Sequence, residues 1–401
     1  MTTSVVVVGC GFPQLGLLGA AKRLGLHVIG LDLNPEAVGV PLVDTFVRAS
    51  TGDAGQVASA VQRSGARALT TTGSELALTT TAAVADRLGL PFYADPATVF
   101  RCQDKGAMRE AYASARLPVP RFLHVRTWPE ASTFADSLPL PLVVKPASGW
   151  GQRGVSRVDH RDELEKAYQR AAEASHNDAG VVIEEFMAGH ELSVNGWVED
   201  GELVVYAVTD REVFAGTAPL GVMRSEVVPS RVDAALVASG VEAARAAARS
   251  LGLERGPCYT QVCVAPGRAA VFETAARCGG GFDADVTKLV SGVDLYRRLL
   301  GVALGDRDLE REGVTGERHT AALVRFVSPP RGVVRTVSGL DEARGCPGVV
   351  DAAIYPRPGQ TLAGLVNAAS RAAHLLVVGG SRDEAVARAD EAEKRLVIEV
   401  Q

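Results

Sequence analysis

Residues Leu142 to Val155, LVVKPASGWGQRGV, decide how the rest of this chain is read. An apolar run (Leu142, Val143, Val144) ends in Lys145 and Pro146. Three glycines follow closely, Gly149, Gly151 and Gly154, with Gln152 and Arg153 among them, and Val155 opens the next apolar run. The order is strand, cation, polar turn, strand. Glycine lets backbone N–H groups approach an anion because no Cβ stands in the way. A lysine at the strand end reaches the same anion as a compact point charge. The lysine precedes the glycines, so this is not the P-loop pattern, and no helix follows at once as a dinucleotide fingerprint requires. The spacing predicts a hairpin whose turn closes over phosphates; the plain alternative is an ordinary glycine-rich hairpin loop.

Downstream, residues 162–174 predict a charged amphipathic helix lying over that hairpin. Residues 181–210 alternate apolar and polar, with turns at Ala188-Gly189 and Asp200-Gly201, which predicts one antiparallel set of strands. Glu184, Glu185, Phe186 and Met187 sit where one strand bends toward Gly189. Residues 234–251 predict an amphipathic helix. CYTQVCVA and AAVFETAA predict a hairpin closed near Pro266-Gly267. Simple alternation places Gln261 with Cys263 on one face, and Val271 with Glu273 on one face of the partner strand. Arg277 and the glycines Gly279, Gly280 and Gly281 follow, a turn suited to anion contact beside a strand-borne glutamate. From Thr320 onward strands are predicted at AALVRFVSP, GVV, AAIYP and HLLVVGG, with helices over 363–372 and 381–397.

Upstream, SVVVV, the turn GCGFPQLG, a helix and HVIGLDLN make a βαβ unit ending at Asp32. Asp32 lies where the acid of a nicotinamide-dinucleotide site would, but Phe12, Pro13 and Gln14 crowd the turn and the glycine spacing is loose. A strand at 68–72 leads into Gly73, Ser74 and Glu75. Ligands of open α/β sheets bind beyond such strand ends, so Ser74 and Glu75 are candidate substrate residues; a helix cap with a first-turn acid is the competing reading. Asp95-Pro96 opens one helix and Gln103-Asp104-Lys105 another, with Lys105 and Arg109 one turn apart on one face. Pro118 and Pro120 end it.

The chain has 401 residues, 47% of them hydrophobic, with a formal net charge of −5. That length suits two or three domains and a sizeable core. Scattered lysines and arginines argue against a nucleic-acid partner. No apolar run approaches a membrane span, and MTTSVVVVGCGF lacks the basic start of a signal peptide. Six cysteines without CxxC spacing predict free thiols in a reducing cytoplasm. Seven dispersed histidines offer no His-rich metal site.

Four motifs then occur in order: Lys105 in DKxxMR, Lys145 in KPxxGxGxRGV, EEFMxGxE at 184–191, and ExxxRxGGG at 273–281. In order and spacing they resemble the ATP-grasp superfamily, most closely its carboxylate–amine ligase and biotin-carboxylase-like branches. GCGFPQLGL resembles the preceding domain of such proteins, which disposes of the dinucleotide reading, and HLLVVGGSRDEAVARADEAEKRLVIEV is similar to the small C-terminal domain of amino-acid ligases. The resemblance implies an α/β (α+β) chain with the ATP-grasp fold. Its parts would be a Rossmann-like pre-ATP-grasp domain at 1–100, a helical linker at 101–135 and an α+β lid at 136–205. A central domain would fill 206–401, with a C-terminal subdomain from about 318.

For activity it implies an ATP-dependent ligase with Mg²⁺. A carboxylate would be activated as an acyl-phosphate, and an amine would then form an amide with release of ADP and phosphate. Lys105 and Lys145 would hold the α- and β-phosphates under the turn from Ser148 through Gly149 and Gly151 to Gly154. Backbone at Glu184, Glu185, Phe186 and Met187 would hold adenine, Phe186 giving the N–H, and Glu191 would accept the ribose hydroxyls. Glu273 would hold Mg²⁺. Arg277 would steady the carboxylate, and Gly279, Gly280 and Gly281 would donate N–H groups to the oxyanion. Pocket residues would also come from Phe214 to Arg224. Related ligases often pair as homodimers.

Two positions depart from the family. Gln261 stands where a second metal carboxylate is usual, and Ala275 replaces an asparagine. A glutamine carbonyl still ligates Mg²⁺, and Asp283 or Asp285 would be the compensating acid. Two further readings keep the fold: bicarbonate activated to carboxyphosphate, as in purine or biotin carboxylation, and a nucleotide-binding member without turnover.

Overall fold

Val5 to Val8 form a strand because four β-branched residues in a row favour extended backbone and can be buried on both faces of a parallel sheet. The structure is a computed structural model and describes residues 3–149, 151–215 and 220–401; part of the expected pocket stretch Phe214 to Arg224, residues 216–219, lies outside the described residues. Strand β1 (Ser4–Val8) lies between β2 (His27–Asp32) and β4 (Ala68–Thr70), with β3 (Thr45–Arg48) at the edge, all parallel. Beyond β4, after a four-residue turn, comes the helix Glu75–Leu88. Ser74 caps it, its hydroxyl accepting the Ala77 N–H at 3.4 Å.

The first glycine turn is plugged. Gln14 is buried, accepts the Gly11 N–H at 3.0 Å and donates to the Thr72 carbonyl at 2.6 Å. A Cβ at Gly9 would strike that side chain. Asp32 accepts the N–H groups of Cys10 and Asn34, both at 2.9 Å. The carboxylate that could have bound a ribose instead stitches its own turn.

The predicted hairpin is present. Its strands β6 (Leu142–Pro146) and β7 (Ser156–Val158) pair antiparallel, in a four-stranded sheet with β5 (Phe122–Val125) and β8 (Val181–Glu185) in the order β5-β8-β6-β7. Helices Trp128–Asp136 and Leu164–Ala174 cover one face, burying Ala131, Ala135, Leu164, Ala167 and Ala171 against Leu142, Val144, Val158 and Ile183.

The 181–210 stretch is not one set of strands. β8 belongs to the hairpin's sheet. β9 (His190–Glu199) and β10 (Glu202–Val213) start an eight-stranded sheet with β11 (Met223–Val228), β12 (Gly256–Ala265), β13 (Arg268–Ala275) and β14 (Ala321–Val327). Gly189 lets the chain change sheets, since a Cβ there would meet Cys263 and the Val264 carbonyl of β12. With β16 (Val349–Ile354) and β18 (Ala373–Gly379), the sheet order is β13-β12-β9-β10-β11-β14-β18-β16, with every pair antiparallel, so strands from the C-terminal third continue it directly. Helix Ala234–Ser250 packs its alanine face on it.

Near the C-terminus, β15 (Arg331–Ser338) leaves this sheet, β16 (Val349–Ile354) returns to it, and β17 (Thr361–Ala363) pairs with β15. No α-helix covers 363–372. Gly364 takes a left-handed φ of +79°, and Asn367 caps only the short 3₁₀ turn Ala368–Ser370. Ala372 is then drawn into the sheet, donating to Val327 and accepting from Tyr355. β18 (Ala373–Gly379) follows. The last helix stops at Glu393 rather than 397, and β19 (Val397–Val400) pairs with β15. All six cysteines are unpaired thiols. Among the described residues no helix is long and apolar enough to cross a membrane.

Candidate active site

A cleft of about 510 Å³ opens between the hairpin sheet and the eight-stranded sheet, closed at one end by the loop after β4. Lys145 projects into it from β6. Lys105 comes from the first turn of helix Lys105–Ser114, where Asp104 caps the Ala107 N–H at 2.8 Å. Its ammonium donates to the Gly149 carbonyl at 2.9 Å, which pins it to the glycine turn. Glu273 faces these cations from β13. Burial alone would raise its pKa, but Lys105, Arg277, Lys145 and Arg211 outweigh that and hold it below the usual carboxylate range. The two lysines and the glutamate therefore share one cavity.

On the hairpin side, two cations share one buried carboxylate. Glu184 accepts from Lys145 at 2.5 Å and from Arg109 at 2.9 Å. Burial opposes its charge, yet the pair of cations brings its pKa down to about 2. Lys145 is pushed down to about 8 by burial, and Arg109 adds to that against the attraction of Glu184. Glu185 turns outward, bound to Arg121 at 2.9 Å and to Arg268. Both side chains are engaged, so only backbone remains for a ligand here. The Phe186 N–H is spent on the Pro141 carbonyl at 3.1 Å, contrary to the role expected of it. Met187, next along the cleft wall, has no such partner for its N–H among the described residues. The Phe186 ring instead carries the Arg157 guanidinium 4.4 Å from its centroid.

The glycines of the turn divide their work. Gly151 has φ +71° and open space where a Cβ would stand, and it lines the cleft. Gly154 packs against helix Leu164–Ala174, where a Cβ would fall 2.6 Å from Ala174. Ser148 is held by the backbone of His176. Neither Ser148 nor Gly154 lines the cleft, because the hairpin twist turns them onto the helix.

At the other wall a bulge near Phe272 breaks the alternation read from the sequence. Gln261 pairs with Glu273, but Val262 pairs with Val271, so Val271 enters the core while Phe272 and Glu273 both line the cleft. Gln261 donates its amide N–H to Glu191 at 2.7 Å. Its carbonyl is thereby left as an acceptor beside Glu273, and Glu273 has no ion-pair partner among the described residues. One free carboxylate and one amide oxygen fit a magnesium ion whose other ligands come from phosphate and water. Among the described residues no cluster of three His, Cys, Asp or Glu side chains forms a protein-only metal cage.

Glu191 also binds Arg211 at 2.8 Å. Arg211 and Glu226, buried residues the sequence reading passed over, extend this wall. Glu226 accepts from Ser193 at 2.6 Å and Thr209 at 3.0 Å; burial and then Asp283 push its pKa well above the carboxylate range. Arg211 stands in the polar run Thr209 to Glu212 and Glu226 follows Arg224 and Ser225, so neither was set apart by its neighbours. Asp283 lines the cleft, whereas Asp285 is turned onto the Tyr296 hydroxyl at 2.7 Å, outside it.

Arg277 meets Glu75 across 202 residues of sequence, its Nε donating at 2.6 Å. Burial works against its charge, but Glu75 more than restores it. Ser74 and Glu75 are thus helix cap and first-turn acid and also cleft wall. Of the three glycines, Gly280 and Gly281 reach the cleft, but the Gly281 N–H is spent on Asp283 at 2.9 Å. Gly279 exists for closure of the turn, since a Cβ would collide with the Asp283 carboxyl at 2.1 Å.

Residues 138–285 match the ATP-grasp domain family, and residues 325–401 match the L-amino acid ligase C-terminal domain 2. The chain is 26% identical over 379 residues to the uncharacterized protein y4rH of Sinorhizobium fredii, covering 91% of this chain and 76% of that protein. It is 28% identical over 254 residues to an alanine–anticapsin ligase of Bacillus subtilis, covering 58% of this chain and 53% of the ligase, so it spans about half the length of that relative. Among solved structures, the L-amino acid ligase of Bacillus licheniformis superposes with a TM-score of 0.82 at 22% identity, over 100% of this chain and 99% of that one.

Proposed function

We propose that this chain, whose residues 138–285 match the ATP-grasp domain family, is an ATP-dependent ligase that joins the carboxyl of a small acid, such as an amino acid, to an amine through an acyl-phosphate. The single observation that carries this reading is the cavity shared by Lys105, Lys145, Glu273 and Arg277. Lys105 and Lys145 would neutralise the polyphosphate, with Gly151 and its neighbours closing over it. Backbone from Glu185 to Met187 would bind adenine, Met187 supplying the N–H. Glu191 would accept the ribose hydroxyls from beneath, oriented by Arg211 and Gln261.

Glu273 and the Gln261 carbonyl would hold Mg²⁺, which when bound neutralises charge on the transferring phosphoryl group. Arg277 would exchange its contact with Glu75 for the substrate carboxylate, which it can grip with two parallel N–H groups. The Gly280 N–H, unlike that of Gly281, stays available to an oxyanion. Positioning and charge neutralisation account for such phosphoryl transfer without a covalent protein intermediate.

The test is a panel of L-amino acids and small acids crossed with amines, read by phosphate release and mass spectrometry. Acid-dependent ADP and an amide product are expected. Incorporation of labelled bicarbonate in place of an amide would move the assignment to carboxylation. Tight ATP binding with no ADP from any pair would remove it.

A further inference from the structure

One wall of the cleft is built by C-terminal segments, which none of the four motifs includes. Tyr355 lines the cleft beside Phe282, Phe326 and Arg371. Its hydroxyl lies 2.8 Å from Nδ1 of His374, a buried residue of β18, and His374 Nε2 lies 3.1 Å from Asp351 Oδ2 on β16. The proton positions follow from the chain of partners. Asp351 is held ionised, foremost by its bond to His374, so it can only accept. In the neutral ring, Nε2 then donates to Asp351 and Nδ1 accepts from the Tyr355 O–H. Burial raises the Tyr355 pKa, against the effect of Arg371, so the phenol keeps its proton.

The three groups run from the cleft to solvent. His374 is sealed inside, while the Asp351 side chain is 53% exposed. The ring is also clamped: Phe282 stacks on His374 at 4.2 Å and 25°. Phe282 follows the glycine turn directly and takes a left-handed φ of +65°, a conformation a bulky residue adopts only when its surroundings hold it there. The other charged groups near the relay are Arg371, over the Phe326 ring at 3.6 Å, Asp283 and Asp285 from the helix after the turn, and Arg344, which helps to hold Asp351 ionised. Arg325 on β14 points away, to Asp390 and Glu393.

We propose that Tyr355, His374 and Asp351 form a proton relay that deprotonates the attacking amine. This inference rests on the ligase reading above. An amine at neutral pH is an ammonium and has no lone pair for attack. The Tyr355 oxygen accepts one ammonium proton as its own proton passes to His374 Nδ1, leaving a neutral amine, a neutral phenol and an imidazolium paired with Asp351. The amine lone pair then forms the C–N bond as the C–O bond to phosphate breaks. Tyr355 is the catalytic residue; His374 and Asp351 act through it. After the product leaves, the Nδ1 proton returns through the Tyr355 hydroxyl to water in the cleft, which restores the starting tautomer with Nε2–H on Asp351.

Hydroxylamine separates the relay from its premise, because it is already largely uncharged at neutral pH and traps an acyl-phosphate without a base. Wild type, Tyr355→Phe, His374→Gln and Asp351→Asn would be compared in amide and hydroxamate formation from one acid. Amide formation is expected to fall about a hundredfold in Tyr355→Phe and His374→Gln and about tenfold in Asp351→Asn. Hydroxamate formation should stay within about twofold, and the amide loss should shrink as pH rises and free amine becomes abundant. Equal falls in both products, in the exposed-site variant as well as the buried ones, would reduce the three residues to structure. Unchanged amide formation would also overturn the relay. A wild type that makes amide-free ADP and no hydroxamate from any acid would remove the ligase reading itself, and the relay with it.

Discussion

Glu184 and Glu273 are strand glutamates on opposite walls of one cleft, and their surroundings could hardly differ more. Glu184 is nearly sealed and gripped by Lys145 and Arg109. Glu273 has cations around it but no ion-pair partner among the described residues. A carboxylate whose lone pairs are all answered by protein holds the protein together. One left unanswered beside an amide oxygen is arranged for something that arrives later. The contrast also explains why Lys145 stays in place without ligand, since Glu184 fixes its strand position while Lys105 is tied to the Gly149 carbonyl.

The sharpest way to break this contrast is Glu273→Gln. Ligation should fall about 10³-fold or more, while thermal stability stays within about 1 kcal/mol, because no protein pair is lost. Comparable losses of activity and melting temperature would show that Glu273 is structural after all. Glu184→Gln should do the reverse in kind. It strands Lys145 and Arg109 in a buried site and should cost about 3–5 kcal/mol in denaturant unfolding. ATP affinity should follow only as far as Lys145 shifts.

The pH dependence of stability sharpens the same point. Glu184 has a folded pKa depressed to about 2, so its contribution is present above its unfolded value and is lost as pH falls from about 4.5 toward 2. Unfolding midpoints measured through that window should drop in wild type and in Glu273→Gln, and flatten in Glu184→Gln. Lys145 acts at the other end. Its folded pKa near 8 lies below the unfolded value, so stability should rise slightly as pH climbs from 8 toward 10. The smallest effect is expected from Gln261→Glu, which gives Glu273 a second carboxylate. Half-maximal activity should need about tenfold less Mg²⁺, offset in part by repulsion from Glu191, whose bond from Gln261 is lost. No change in the Mg²⁺ requirement would mean that position 261 does not face the ion.

Lys105, Lys145, Glu273 and Arg277 were legible because each sits in a short pattern with its own physical signature: a capped helix start, a strand ending in a cation, a strand acid before a glycine turn. Arg211, Glu226, Tyr355 and His374 were not: the first two sit in polar runs of their strands, and the last two are lone polar residues in or beside apolar runs. The position of each in the site depends on which strand lies beside it. The same cause lies behind the misplaced details. The Phe186 N–H was taken by Pro141 across a strand junction, the Gly281 N–H was taken by Asp283, and the bulge at Phe272 sent Val271 and Glu273 to opposite sides.

What the amino-acid order alone determined was local: the β-branched runs that had to be strands, the caps and glycines that had to end them, and the cations and acid placed at their tips. Propensity, period and turn chemistry act over a few residues and can be read along the chain. Only the folded chain decided which tips meet. The union of Glu75 with Arg277, the switch of sheets at Gly189, and the line from Tyr355 through His374 to Asp351 all come from strand pairing between distant segments. Strand registry is set by the whole core at once, and a one-residue slip turns every side chain to the other face.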